Sequence, residues 1–60
     1  MERTIQVWKD SNGFYKVRLE VVGAPHLPPF MLGEFKSILD ALDMASDKAE
    51  EYRAKLSVIQ

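Results

Sequence analysis

From Thr4 to Val22, apolar and polar residues alternate on both sides of a polar break at Ser11, Asn12 and Gly13. Alternation with a period of two marks half-buried strands, and Asn-Gly between two such runs marks a hairpin because both residues accept positive φ. Parity then selects the loop length. A two-residue loop would set Val7 opposite Lys16 and Ile5 opposite Arg18, mixing core and solvent on one face. A three-residue loop, with Gly13 in the left-handed bulge position, sets Val7 opposite Val17 and Ile5 opposite Leu19. The three-residue loop is therefore predicted. Ile5, Val7, Tyr15, Val17, Leu19 and Val21 then form the core face, and Thr4, Gln6, Trp8, Phe14, Lys16, Arg18 and Glu20 the outer one.

Residues 23–29, GAPHLPP, interrupt the alternation, since proline has no backbone donor and X-Pro steps favour extended geometry. Residues 30–35, FMLGEF, read as a third strand returning antiparallel beside the second, and Pro29 suits the first position of such a strand. Its facing stays open between Phe30 with Leu32 and Met31 with Phe35, because Gly33 fits a bulge. The apolar run at residues 27–32 either plugs one end of the core, the favoured reading, or offers a short docking patch.

At Ser37 the period changes. Ser37 reads as a helix N-cap with Asp40 three residues on, a variant of the capping box. Ile38, Leu42, Ala45, Ala49, Tyr52, Leu56 and Ile59 recur at helical spacing, and no Gly or Pro interrupts residues 38–59. One long helix is predicted, with small residues at 41, 45 and 49 allowing close approach to the sheet. Asp40 and Asp43 near its start, Arg53 and Lys55 near its end, and a Glu51–Lys55 pair would suit the helix dipole. The fold class is α+β: a single domain over residues 1–60, a three-stranded antiparallel sheet in the order β-β-β-α, with one long C-terminal helix on one face. Such a helix would span about 33 Å against about 23 Å for a seven-residue strand. Its last two turns would overhang the sheet, so Tyr52, Leu56, Val58 and Ile59 are candidate self-association residues.

Size sharpens that expectation. Sixty residues bury only about 60% of their unfolded surface. The chain has no cysteine, so stability must come from packing or from a second copy. A homodimer is expected. The net charge of −1 argues against nucleic-acid binding driven by overall charge. No apolar stretch reaches the ~20 residues of a membrane span, and Met1-Glu2-Arg3 leads into a strand without an apolar leader. A cytoplasmic protein without membrane association is expected.

The segments Ile5-Gln-Val-Trp-Lys-Asp-Ser-Asn-Gly13 and Phe14-Tyr-Lys-Val-Arg-Leu19 resemble the first hairpin of the YegP-like family of small bacterial repeat domains. Phe35-Lys-Ser37, leading into Ile38-Leu-Asp-Ala-Leu-Asp-Met-Ala45, looks more like a small bacterial domain of unknown function with an aromatic-x-Ser/Thr junction before an Ala-rich helix. Both resemblances imply a β-β-β-α module and no catalytic set. YegP-like domains occur as tandem repeats, so the resemblance also suits a single copy that pairs with itself.

The outer face is the sharpest candidate for chemistry. Gln6, Trp8, Phe14, Lys16 and Arg18 set aromatics among cations on an open sheet, which suits base stacking and phosphate contact or a protein hot spot. The plainer reading is cross-strand packing. The acidic set Asp40, Asp43, Asp47, Glu50 and Glu51 reads as a solvated helix face rather than a phosphate-backbone mimic, since Lys48, Arg53 and Lys55 interrupt it. His26 is the only histidine and has no nucleophile-elbow serine to serve. Gly13, Gly23 and Gly33 are isolated, so no phosphate loop is present. No metal, cofactor or enzymatic activity is expected. The chain reads as a non-catalytic binding module. The alternatives are a nucleic-acid-binding accessory protein using the outer face, or a small phage-type inhibitor of a host complex.

Overall fold

The computed structural model describes residues 2–24 and 26–59; Met1 of the predicted leader-free start and Pro25 of the predicted connection lie outside them, as does Gln60. The chain runs β1 (Glu2–Lys9), β2 (Tyr15–Val22), β3 (Phe30–Phe35), α1 (Ile38–Tyr52) and β4 (Lys55–Ile59). The protein is α+β, with one helix packed on a sheet. That sheet has four strands in the order β3-β2-β1-β4, not the three predicted.

The hairpin forms in the predicted register. Ile5 pairs with Leu19, Val7 with Val17 and Trp8 with Lys16. Gly13 takes φ 86°, a left-handed conformation open to glycine at no steric cost. Asp10 and Phe14 close the loop around residues 11–13, with the Asp10 N–H donating to the Phe14 carbonyl at 2.8 Å. Parity accounts for the core: Ile5, Val7 and Val17 are fully buried, with Tyr15 and Leu19 packed partly against them.

β3 pairs antiparallel with β2, and its ambiguous facing is settled by a bulge. The register shifts between Val17 and Arg18, so that Gly33 faces Val17, Met31 faces Arg18, and Leu32 is the extra residue. The bulge lets both Leu32 and Phe35 pack on the core, while Phe30 and Met31 are exposed. The run at 27–32 therefore does not plug the core end as favoured: Leu27 is exposed as well, and only Leu32 turns inward. Gly33 sits where Met44 of the helix and the Phe35 ring close over β3. A Cβ there would lie 2.9 Å from Met44 Sδ and from Phe35 Cε2.

The helix begins where predicted but ends seven residues early. Ser37 occupies the N-cap with extended backbone, yet its side chain makes no capping hydrogen bond, so the capping box is absent. Ala41 and Ala45 are fully buried, and the missing side-chain bulk lets the helix lie close on β1 and β2. At the other end, Arg53 takes φ 52° and ψ 48°. The Ala54 N–H donates to Ala49 O at 2.8 Å and the Arg53 N–H to Glu50 O at 3.3 Å, the paired bonds of a Schellman stop. The Arg3 guanidinium donates to the Tyr52 carbonyl at 3.0 Å, placing a cation at the negative end of the helix from β1.

After this stop the chain reverses and residues 55–59 join the sheet as β4, parallel to β1. Ile5 lies beside Leu56 and Val7 beside Val58. The overhang expected of a long helix is thus avoided. A 15-residue helix covers about 22 Å, close to the length of the strands beneath it. Leu56, Val58 and Ile59 are strand residues, not a helical face. The Glu51–Lys55 pair is likewise replaced: Lys48 binds Glu51 at 3.3 Å, and Lys55 bridges to Glu2 on β1. No basic residue lies in the last helical turn, Arg53 standing just beyond it.

Two substitutions test these constraints by urea denaturation. Gly33→Ala is expected to cost about 1–3 kcal/mol through overpacking against Met44 and Phe35, and an unchanged midpoint would contradict the close approach. Arg53→Gly is expected to add about 1 kcal/mol by relieving the left-handed conformation. A loss of stability would show that the Arg53 side chain matters more than its backbone.

Candidate interaction surfaces

The outer face is assembled by pairing across all four strands. One row runs Met31, Arg18, Gln6 and Ser57; the next runs Glu34, Lys16, Trp8 and Ile59. Gln6, Trp8, Lys16 and Arg18 thus come together as expected, and each is half-buried. The Arg18 guanidinium lies 4.7 Å from the centre of the Trp8 ring, a cation-π stack, and its Nε donates to Gln6 Oε1. Lys16 pairs with Asp10 at 3.4 Å. Phe14 sits at the loop end, half-buried, with its backbone closing the turn. Both cations of the face therefore already have partners within the chain.

Asp10 organises the loop end of this face, a role the sequence reading missed. Its Oδ1 accepts from the Phe14 and Asn12 backbone N–H groups, each at 2.9 Å. The Phe14 N–H above all, with Asn12 and Lys16 adding to it, holds the carboxyl below the usual aspartate range. Asp two residues before Asn in a tight turn is the signal that could have revealed this Asx geometry. At the far end of β1, hydrogen bonding and charge from Lys55 lower the Glu2 pKa, and Glu2 in turn raises that of Lys55.

The predicted self-association set is divided by the fold. Tyr52 ends the helix, where it borders a shallow apolar hollow of about 460 Å³ with Leu19, Val21, Leu27 and Phe30. Leu56 and Val58 share the helix side of the sheet with Ile5 and Val7, whereas Ile59 shares the outer side with Trp8. All three are 41–48% exposed, because β4 lies at the margin of the sheet beyond full cover by the helix. A second apolar cleft, of about 290 Å³, opens beside them between Val7, Tyr15, Ile38, Val58 and Ile59.

The two edges of the sheet differ in kind. The β3 edge follows Pro29, carries the bulge at Leu32 and presents Glu34, all features that discourage further strand pairing. The β4 edge has no proline, glycine or bulge, and three of its five residues are apolar. Its one charge, Lys55, is drawn back toward β1 by Glu2. Of the acidic helix residues, Asp40, Asp43, Asp47, Glu50 and Glu51 are exposed, as expected of a solvated face. His26 is exposed in the connection before β3. Among the described residues no helix is long and apolar enough to cross a membrane.

Comparison with protein-family models, with curated proteins and with solved structures finds no match for this chain.

The Asp10 arrangement has a direct test. With its pKa lowered in the fold, Asp10 contributes stability above the ordinary aspartate range, and the contribution is lost as pH falls through the lowered value. Side-chain NMR titration is expected to give Asp10 a midpoint below that of an unfolded-chain aspartate, and Lys16→Met should move it partway up. A midpoint at or above the unfolded value would contradict the hydrogen-bonded loop.

Proposed function

We propose that the chain is a non-catalytic binding module that acts as a homodimer in the cytoplasm. One observation carries this reading: the fold leaves an unprotected apolar edge strand, β4, with Leu56, Val58 and Ile59 all substantially exposed. An edge of this kind is a template for another strand, and chains that keep such an edge solitary blunt it with charge, proline or bulges. The small core adds support. Among the described residues only Ile5, Val7, Val17, Ala24, Ala41 and Ala45 are buried hydrophobics, so association has much apolar surface left to cover.

Nucleic-acid binding through the outer face is the second reading, supported by the Trp8–Arg18 stack. It ranks lower because Arg18 is held by Gln6 and Lys16 by Asp10, so binding phosphate would first break these contacts. The Glu34 row and the overall charge of −1 also repel a polyanion.

Sedimentation and light scattering test the main reading on a chain of 6.9 kDa. The expected species at high micromolar concentration has twice that mass, and a monomer throughout would contradict it. Trp8→Ala separates the two readings. The homodimer reading predicts some loss of stability with dimerisation retained and no single-strand binding to lose, whereas a wild-type chain that binds a single-stranded oligonucleotide and loses this in Trp8→Ala would favour the second.

A further inference from the structure

We infer that two copies pair antiparallel through β4 about a two-fold axis at Ser57, joining their four-stranded sheets into one continuous sheet with both helices on the same face. This rests on the homodimer reading and adds the edge, the direction and the register.

Parity and symmetry together determine the register. A two-fold axis requires that if one residue faces a second, the second also faces the first. Residues directly opposite in an antiparallel pair point to the same side of the sheet, and side chains along a strand alternate. The axis must therefore pass through a pair formed by one residue and its own copy. Within Lys55–Ile59, only an axis at Ser57 gives every residue of the strand a partner. Leu56 then faces Val58 of the second copy on the helix side, and Lys55 faces Ile59 of the second copy on the outer side.

The chemistry suits this register. On the helix side Leu56 and Val58 from both copies form one apolar cluster between the two helices, covering residues that are 43% and 41% exposed in the single chain. The cleft of about 290 Å³ has Val58 in its wall, so Leu56 of the second copy arrives at its mouth. On the outer side the aliphatic stem of Lys55 crosses Ile59 while its ammonium remains with Glu2. No like charges face each other. The β3 edge has no comparable fit, because its bulge interrupts the spacing and its preceding proline removes a donor.

A cysteine cross-linking pair provides the test, since the chain has no cysteine of its own. Ser57→Cys and Glu34→Cys would be treated separately with a short bis-maleimide, with folding checked by circular dichroism and mass by light scattering. Ser57→Cys is expected to yield cross-linked dimer at least about tenfold more efficiently than Glu34→Cys, because residues paired on an axis lie only about 5 Å apart. A dimer in which Ser57→Cys cross-links no better than Glu34→Cys overturns the β4 pairing and leaves the homodimer reading standing. A chain that stays monomeric overturns both, and assigns the edge to no second copy. Should Ser57→Cys fold poorly, Val58→Asp replaces it. That change sets a carboxylate against Leu56 twice in each dimer and is expected to weaken association about 100-fold. Undiminished association would overturn the inference.

Discussion

The central constraint is that β1 is hydrogen-bonded on both sides. Its two buried residues each stand in the middle of an apolar row: Leu19, Ile5 and Leu56 in one, Val17, Val7 and Val58 in the other. Ala41 and Ala45 close over these rows from the helix. Small side chains there let the helix approach, so the branched residues of the strands fill the space between the layers. The remaining topology follows from supplying β1 with a neighbour on each side. The hairpin provides β2, and the helix must stop at Tyr52 so that the chain can return as β4. The left-handed conformation of Arg53 is the local cost of that stop, and the Schellman bonds and the Arg3 contact offset it.

The hairpin was legible because two independent signals agreed. Asn12-Gly13 marked the turn, and only one loop length sorted the faces. The start of the helix was legible from Ser37, although its side chain makes no cap. Its end was hidden for physical reasons. The left-handed residue is arginine where glycine is usual, so no composition signal marks the stop. Tyr52, Leu56 and Ile59 also keep helical spacing across the boundary by coincidence. Five residues, KLSVI, are too few for a period-two pattern to outweigh that run. The excess length of the predicted helix was the one sign of trouble, and it pointed to an unused apolar segment without showing that the segment was a strand. The bulge at Leu32 was foreshadowed by Gly33, but only the packing of Met44 and Phe35 against that glycine decided which residues turn inward.

The candidate site was legible to the same extent. Trp8, Lys16 and Arg18 were grouped correctly by parity, yet their pairing with Asp10 and Gln6 depends on side-chain reach that spacing alone does not reveal. Once those partners are seen, the outer face becomes largely self-satisfied. The β4 edge does not. Among the described residues no strand meets its backbone groups on the far side, and its apolar side chains are only partly covered. At the opposite margin β3 is guarded by proline, a bulge and a carboxylate, so the two edges of the sheet are unlike.

Amide hydrogen exchange across Lys55–Ile59, followed over a range of protein concentrations, tests this account most directly. The amides of β4 that point to β1 should be protected at every concentration, and those that point away should become protected only as concentration rises. Uniformly rapid exchange along the segment at every concentration would contradict both the fourth strand and the role proposed for its free edge.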